Sequence, residues 1–201
     1  MIVRPWQIGG KDWKHTAAPL QGGACWEVLG YEPTAACRAA LEHDAHALSH
    51  LGKEDAEAPS EGLGLTPMHH AAIGGHRAAA LAVVAAGADP DVSNHMGLTP
   101  LMLACICGHV DMAAFLLSLE AVDPNAAEVQ HGRTSLHIAA AEGLESAVSA
   151  FLAHAGTDAS VQAKDRTTPL WAAASHGQAG VIPLLAAARG VNVDAGGKLG
   201  L

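Results

Sequence analysis

The sequence predicts an all-α fold, a solenoid of helix-turn-helix units joined by β-turn loops, and three observations carry that reading. The first is a repeated block. Thr66-Pro67-Met68-His69-His70-Ala71-Ala72 recurs as Thr99-Pro100-Leu101-Met102-Leu103-Ala104-Cys105, as Thr134-Ser135-Leu136-His137-Ile138-Ala139-Ala140 and as Thr168-Pro169-Leu170-Trp171-Ala172-Ala173-Ala174. The leading threonines are spaced by 33, 35 and 34 residues, and a steady period of that size marks stacked supersecondary units. The second is composition. Of 201 residues 50% are hydrophobic but only 3% aromatic, and alanine and glycine dominate. A core of small side chains suits close-packed helices better than a sheet core of bulky residues. The third is punctuation, because every block is followed at the same distances by glycine, a second apolar run and a turn signal.

Within each unit the residues justify the elements in order. Thr66, Thr99, Thr134 and Thr168 are N-caps, since a threonine hydroxyl accepts a hydrogen bond from an unpaired amide of the first helical turn. Pro67, Pro100 and Pro169 suit the first helical position, where the missing N–H leaves nothing unmet, and Ser135 stands there in the third unit. Leucine and the alanine pair then recur at helical spacing. Gly75, Gly108, Gly143 and Gly177 are expected to end the first helices in a left-handed conformation. The second helices carry Leu81 to Val84, Phe115 to Leu117, Phe151-Leu152 and Leu184-Leu185, with Pro183 tolerated in the first turn. Asp89-Pro90, Asp123-Pro124-Asn125, Gly156-Thr157-Asp158 and Gly190-Val191-Asn192 close the units as turns.

Outside the four units the signal weakens. Residues 34–51 read as one helix capped by Thr34, with Ala36, Ala40, Leu41, Ala47, Leu48 and Leu51 on its apolar stripe. Residues 53–62 read as an acidic loop. Together residues 31–62 are expected to be a degenerate unit that caps the stack, leaving 63–201 for the four repeats and the start of a fifth turn. Residues 1–30 match no repeat and read as an extended arm holding Trp6, Trp13 and Trp26. These tryptophans either fold back on the first helices or anchor a partner, tryptophan being enriched at binding hot spots. Gly196 to Leu201 align with Ser93 to Leu98, so the chain either belongs to a longer array or its last turn docks on something else.

The blocks resemble the ankyrin repeat, whose signature is Thr-Pro-Leu-His-x-Ala-Ala at a 33-residue period; the resemblance covers about residues 60–195. It implies a non-catalytic module that binds a protein partner through a concave groove. It also implies that the block histidine is a structural hydrogen-bonding residue joining neighbouring loops. Met102 and Trp171 replace that histidine, so weaker bonding between repeats is expected there, offset by packing in the case of Trp171. Carried over position by position, the binding row of the first helices is His70, Leu103, Ile138 and Ala172, followed by Ile73, Ile106, Ala141 and Ser175, then Gly74, Cys107, Glu142 and His176. The binding turn tips are Asn94-His95-Met96, Val129-Gln130-His131 and Lys164-Asp165-Arg166. Leu103, Ile106 and Ile138 are expected to form an exposed apolar stripe, the alternative being that neighbouring helices half cover them. Charged residues at Leu103 and Ile138 are then expected to abolish partner capture without unfolding the stack. A second reading makes the chain an accessory structural subunit of a large assembly, anchored through Trp6, Trp13 and the C-terminal end.

Charge and motifs exclude other classes. Eleven Lys+Arg against 20 Asp+Glu leave a net charge of -9, the wrong sign for a nucleic-acid face. No apolar run approaches the ~18 residues of a membrane helix, and the first residues lack the unbroken apolar stretch of a secretory signal. Four cysteines (Cys25, Cys37, Cys105, Cys107) make no disulfide framework, so an intracellular, reducing compartment is expected, the cytoplasm by default, with an organelle left open. Cys105, Cys107 and His109 have near-metal spacing, but their positions in the repeat point them apart, so no metal is expected. Neither a nucleophile elbow nor a phosphate loop occurs, so no catalytic residue and no cofactor are assigned.

Overall fold

The computed structural model describes residues 34–195 together with two short strands, β1 (Gln7–Ile8) and β2 (Lys11–Asp12). The strands pair antiparallel, Gln7 with Asp12 and Ile8 with Lys11, so these four residues of the expected extended arm are paired strands. Trp6, Trp13, Trp26 and the Gly196–Leu201 segment lie outside the described residues.

The capping unit departs from its expected form. One helix over 34–51 is replaced by two, α1 (Ala35–Leu41) and α2 (Ala45–Leu48). His43 takes a positive φ of 63° and breaks the run. Asp44 Oδ1 then accepts from the Ala47 amide at 2.9 Å and starts α2. Thr34 caps α1 as expected, its hydroxyl accepting from Cys37 N at 3.2 Å. Half of the expected acidic loop is helical, α3 (Lys53–Glu57). Glu54 and Asp55 lie in its first turn, where negative charge meets the positive helix end, and Lys53 pairs with Glu57 one turn on.

The four repeats form α4 (Pro67–Gly74) and α5 (Arg77–Ala85), α6 (Pro100–Ile106) and α7 (Val110–Leu117), α8 (Ser135–Ala141) and α9 (Glu145–Ala153), and α10 (Pro169–Ser175) and α11 (Val181–Ala186). Among the described residues the fold is nearly all helical. Thr66 and Thr134 form reciprocal capping boxes with His69 and His137, while Thr99 and Thr168 accept from Met102 N and Trp171 N. Gly75, Gly108, Gly143 and Gly177 have φ of 68°, 76°, 71° and 70°, the left-handed values their position requires. Pro183 sits in the first turn of α11.

First helices pack on first helices (α1 on α4, α4 on α6, α6 on α8, α8 on α10) and second helices likewise from α7 to α9 to α11. Ala71, Ala72, Ala104, Cys105, Ala139, Ala140 and Ala173 are wholly buried along the first-helix row. Side chains that small bring neighbouring helices close together, and a single apolar core runs through the stack from Ala40 to Leu185.

Candidate functional site

The candidate surface starts from the turn tips, because backbone hydrogen bonds run along them from repeat to repeat. His95 N donates to Leu63 O at 3.2 Å, Val129 N to Met96 O at 3.0 Å and Lys164 N to His131 O at 2.8 Å. Each tip turns on a glycine, Gly64, Gly97 and Gly132, with φ of 69°, 74° and 69°. The next tip lays a side chain over that glycine: His95 over Gly64, Val129 over Gly97 and Lys164 over Gly132, with no room for a Cβ at the first two. Side-chain acceptors stiffen the tips from within. Asn94 Oδ1 takes the Met96 and Leu98 amides, both at 2.9 Å. The Glu128 carboxylate takes the amides of Gln130, His131 and Arg133. Asp165 Oδ1 takes Thr167 N and its hydroxyl, and the hydrogen bond to Thr167 holds its carboxyl below the usual range against the opposing effect of burial.

The structure divides the expected binding residues into two groups. His95, Gln130, Lys164 and Arg166 are exposed, and Met96, Cys107, His131, Glu142 and Asp165 are half-buried. Val129, at 63% exposure, is the most exposed large apolar side chain among those described. His70, Ile73, Asn94, Leu103, Ile106 and Ile138 are buried, as are Ala141 and Ala172. The exposed apolar stripe is therefore corrected: Leu103 is 1% and Ile138 0% exposed. The cause is the alanine row itself, because helices brought this close leave the next position in the crevice between neighbours instead of on the groove floor. Asn94 is buried for a different reason, its side chain being turned into its own loop. Trp6 and Trp13 lie outside the described residues.

Two columns of side-chain hydrogen bonds join successive units. In the first, His69 Nδ1 accepts from Thr66 N while Nε2–H donates to Leu98 O of the next unit at 3.0 Å. His137 repeats this toward Thr167 O at 3.0 Å. In the capping unit Cys37 holds the equivalent place, its thiol donating to Leu65 O at 3.5 Å. Burial pushes His69 and His137 down to about pKa 4, so both are neutral near pH 7. His70, buried beside His69, is also pushed down to about 4 by burial and then by His69. The second column runs backward from the turn between the helices. His109 Nε2 donates to Ile73 O at 2.8 Å and Gln178 Nε2 donates to Ala141 O at 2.8 Å. Met102 and Leu144 hold the corresponding places between the second and third repeats and have no hydrogen to donate. Trp171 is 37% exposed, and the turn it would meet in a following unit lies outside the described residues.

The near-metal triplet does not converge. Cys105 is wholly buried with its thiol pushed up to about 12, Cys107 is half-buried and the His109 Nε2 is committed to Ile73 O. Sequence reasoning overlooked Glu128 and Leu144. A glutamate at a loop tip ordinarily signals a solvated charge, and a leucine after the turn glycine signals nothing until the bond it fails to make is seen next door.

The family profile described as "Ankyrin repeats (3 copies)" matches residues 34–128 and 120–196. The chain belongs to the ankyrin repeat family. Ankyrin repeats generally mediate protein–protein contact and are typically non-catalytic, and the groups described above fit that role. A rice protein (Oryza sativa subsp. japonica) described as "Probable E3 ubiquitin-protein ligase XBOS33" is 40% identical over 88 residues, 44% of this chain. The match spans only 17% of that relative's length. Among the described residues no helix is long and apolar enough to cross a membrane.

Proposed function

We propose that this chain is a preorganised docking module that holds a protein partner across its turn tips, through His95, Met96, Val129, Gln130, His131, Lys164 and Arg166. The observation that carries the reading is the exposed Val129, fixed in place by its own amide's bond to Met96 O and flanked by polar side chains on the neighbouring tips. An apolar anchor on rigid backbone binds at low ordering cost, and a polar rim supplies specificity. Cys107 and Glu142, half-buried between the first helices and the following turns, form the lower edge of the same surface. The ligase activity in the relative's description is not proposed here, since the shared stretch is a small part of that protein. The test is affinity capture from native extract with the full chain, followed by mass spectrometry and repetition with Val129→Asp combined with Arg166→Glu. A partner retained by wild type and lost by the folded variant supports the reading; unchanged capture by that variant overturns it.

A second reading, an accessory subunit of a larger assembly, is favoured by one observation. On the outer face of the fourth repeat Trp171, Ala174 and Ser175 are exposed, whereas their counterparts in the preceding repeats are buried. A neighbouring subunit seated there would bury Trp171, and a shift of its emission to shorter wavelength on assembly distinguishes this reading from docking at the tips.

A further inference from the structure

We infer that the partner segment held by the turn tips is acidic: an extended stretch of Asp and Glu around one apolar side chain, with its carboxylates on Lys164 and Arg166 and its apolar residue on Val129. This occupant presupposes the docking at the tips proposed above. The chain as a whole carries a net charge of -9, yet its third and fourth tips present the opposite sign.

Arg166 is held in a conformation that costs free energy. The tips close alike, Gly97 N donating to Asn94 O and Arg166 N to Ala163 O, both at 2.9 Å. Arg166 therefore stands where the earlier tips have Gly64, Gly97 and Gly132, and it takes the same left-handed backbone, with φ of 64°. Among the described residues His43 is the only other non-glycine in that region. A side chain there strains the backbone, and such strain persists where the side chain itself is used. What Arg166 adds to the register is an exposed guanidinium, a planar fork that meets a carboxylate with two parallel hydrogen bonds.

The charges around it point the same way. Lys164 donates from its ammonium to Val129 O and from its amide to His131 O, which fixes it across the two tips beside the exposed valine. The other ammonium hydrogens are left for a ligand. Among the described residues neither Lys164 nor Arg166 pairs with a carboxylate. The carboxylates of these tips are already committed. Glu128 is buried and accepts three amides of its own loop. Asp165 accepts from the Thr167 amide and hydroxyl and faces Arg133. Other acids lie at the borders of the surface, Glu61 on the first tip and Glu142 at the opposite end of α8. Two fixed cations beside an apolar anchor attract a carboxylate-rich segment and repel a basic one.

The experiment selects a random peptide library on the immobilised full chain and titrates the selected peptides by fluorescence anisotropy. The expected peptides are enriched in Asp and Glu beside one aliphatic or aromatic residue, and salt weakens their binding. Lys164→Glu combined with Arg166→Glu should weaken it about tenfold. Arg166→Gly restores the residue of the other tips, so it should melt no lower than wild type and still bind these peptides more weakly. A purely structural Arg166 would give the reverse, a lower melting temperature with unchanged affinity. Peptides without an acidic excess, or with full affinity for the folded charge-reversed variant, overturn the inference; docking at the tips survives that result if Val129→Asp abolishes their binding and fails with it if Val129→Asp does not. A library that yields no binder also overturns the inference. So does self-association through the acidic α3 of a second copy, read by sedimentation.

Discussion

The junction between the first and second repeats and the one between the second and third are built from the same helices in the same register, yet they are held by different physics. The first is closed by His69 to Leu98 O, by His109 to Ile73 O and by Arg77 stacked 5.0 Å from the centre of the Phe115 ring. The second has Met102 and Leu144 instead. A net hydrogen bond contributes only about 1 kcal/mol, no more than burying a methionine does. The two junctions therefore need not differ much in strength. They differ in their response to pH, because only the first is closed by imidazoles.

The largest expected effect breaks the second junction outright. Leu103 and Ile138 are buried on α6 and α8, the two first helices that pack together at this junction. Leu103→Asp or Ile138→Asp buries an unpaired charge and is expected to cost more than about 4 kcal/mol, enough to abolish cooperative folding. Circular dichroism melts check this, and a folded Leu103→Asp variant would return the residue to the exposed surface expected from sequence.

Acid should separate the two kinds of junction. In the folded chain His69, His70 and His137 titrate near 4, against about 6.5 when unfolded. Between those values the unfolded chain binds more protons, so stability is full above pH 6.5 and declines as pH falls toward 4, by at most about 1.4 kcal/mol per histidine per pH unit. Asp91, raised to about 6 by burial, acts in the opposite direction as a single group. The melting temperature is expected to drop from pH 7 to pH 5, and His69→Met with His137→Met should flatten that slope. An unchanged slope in the double variant would show that the buried imidazoles do not set it.

A glycine pair sharpens the comparison at smaller scale. Gly75→Ala and Gly108→Ala both place a side chain at positive φ, at a cost of about 1 kcal/mol. At Gly75 the new Cβ would also lie 2.7 Å from His109 Nδ1, whereas at Gly108 it meets nothing. Urea titration should find Gly75→Ala the more destabilising, and the gap should close in a His109→Leu background. The smallest effect is at the base of the first junction, where Asp91 Oδ2 accepts from Asp123 N at 3.1 Å while Asp89 and Asp123 crowd its charge. Asp91→Asn keeps an acceptor and removes the charge. After solvent screening it should stabilise by a few tenths of a kcal/mol at pH 7, with the gain fading as pH falls from about 6 to 4.

Much of this was legible in the residues. The caps at Thr66, Thr99, Thr134 and Thr168 and the left-handed glycines at Gly75, Gly108, Gly143 and Gly177 follow from local chemistry, and each unit repeats it. The tips were legible as tips for the same reason. The floor of the groove was not: His70, Ile73, Leu103, Ile106 and Ile138 occupy the expected register, but their burial depends on how closely two helices approach. The capping unit was misread because a local event, the positive φ of His43 followed by the Asp44 cap, cuts an otherwise continuous apolar stripe.

By itself, then, the sequence determined the period, the elements, their caps and the family, because those depend on contacts within about four residues or on identities that recur every 33 to 35. Only the tertiary structure decided which repeat positions are exposed, and which junctions carry histidine or glutamine ties and which have Met102 and Leu144 in those places. Those outcomes rest on pairs such as His109 with Ile73, or Leu144 opposite Gly108, that lie 36 residues apart in the chain and meet only when one repeat stacks on the next.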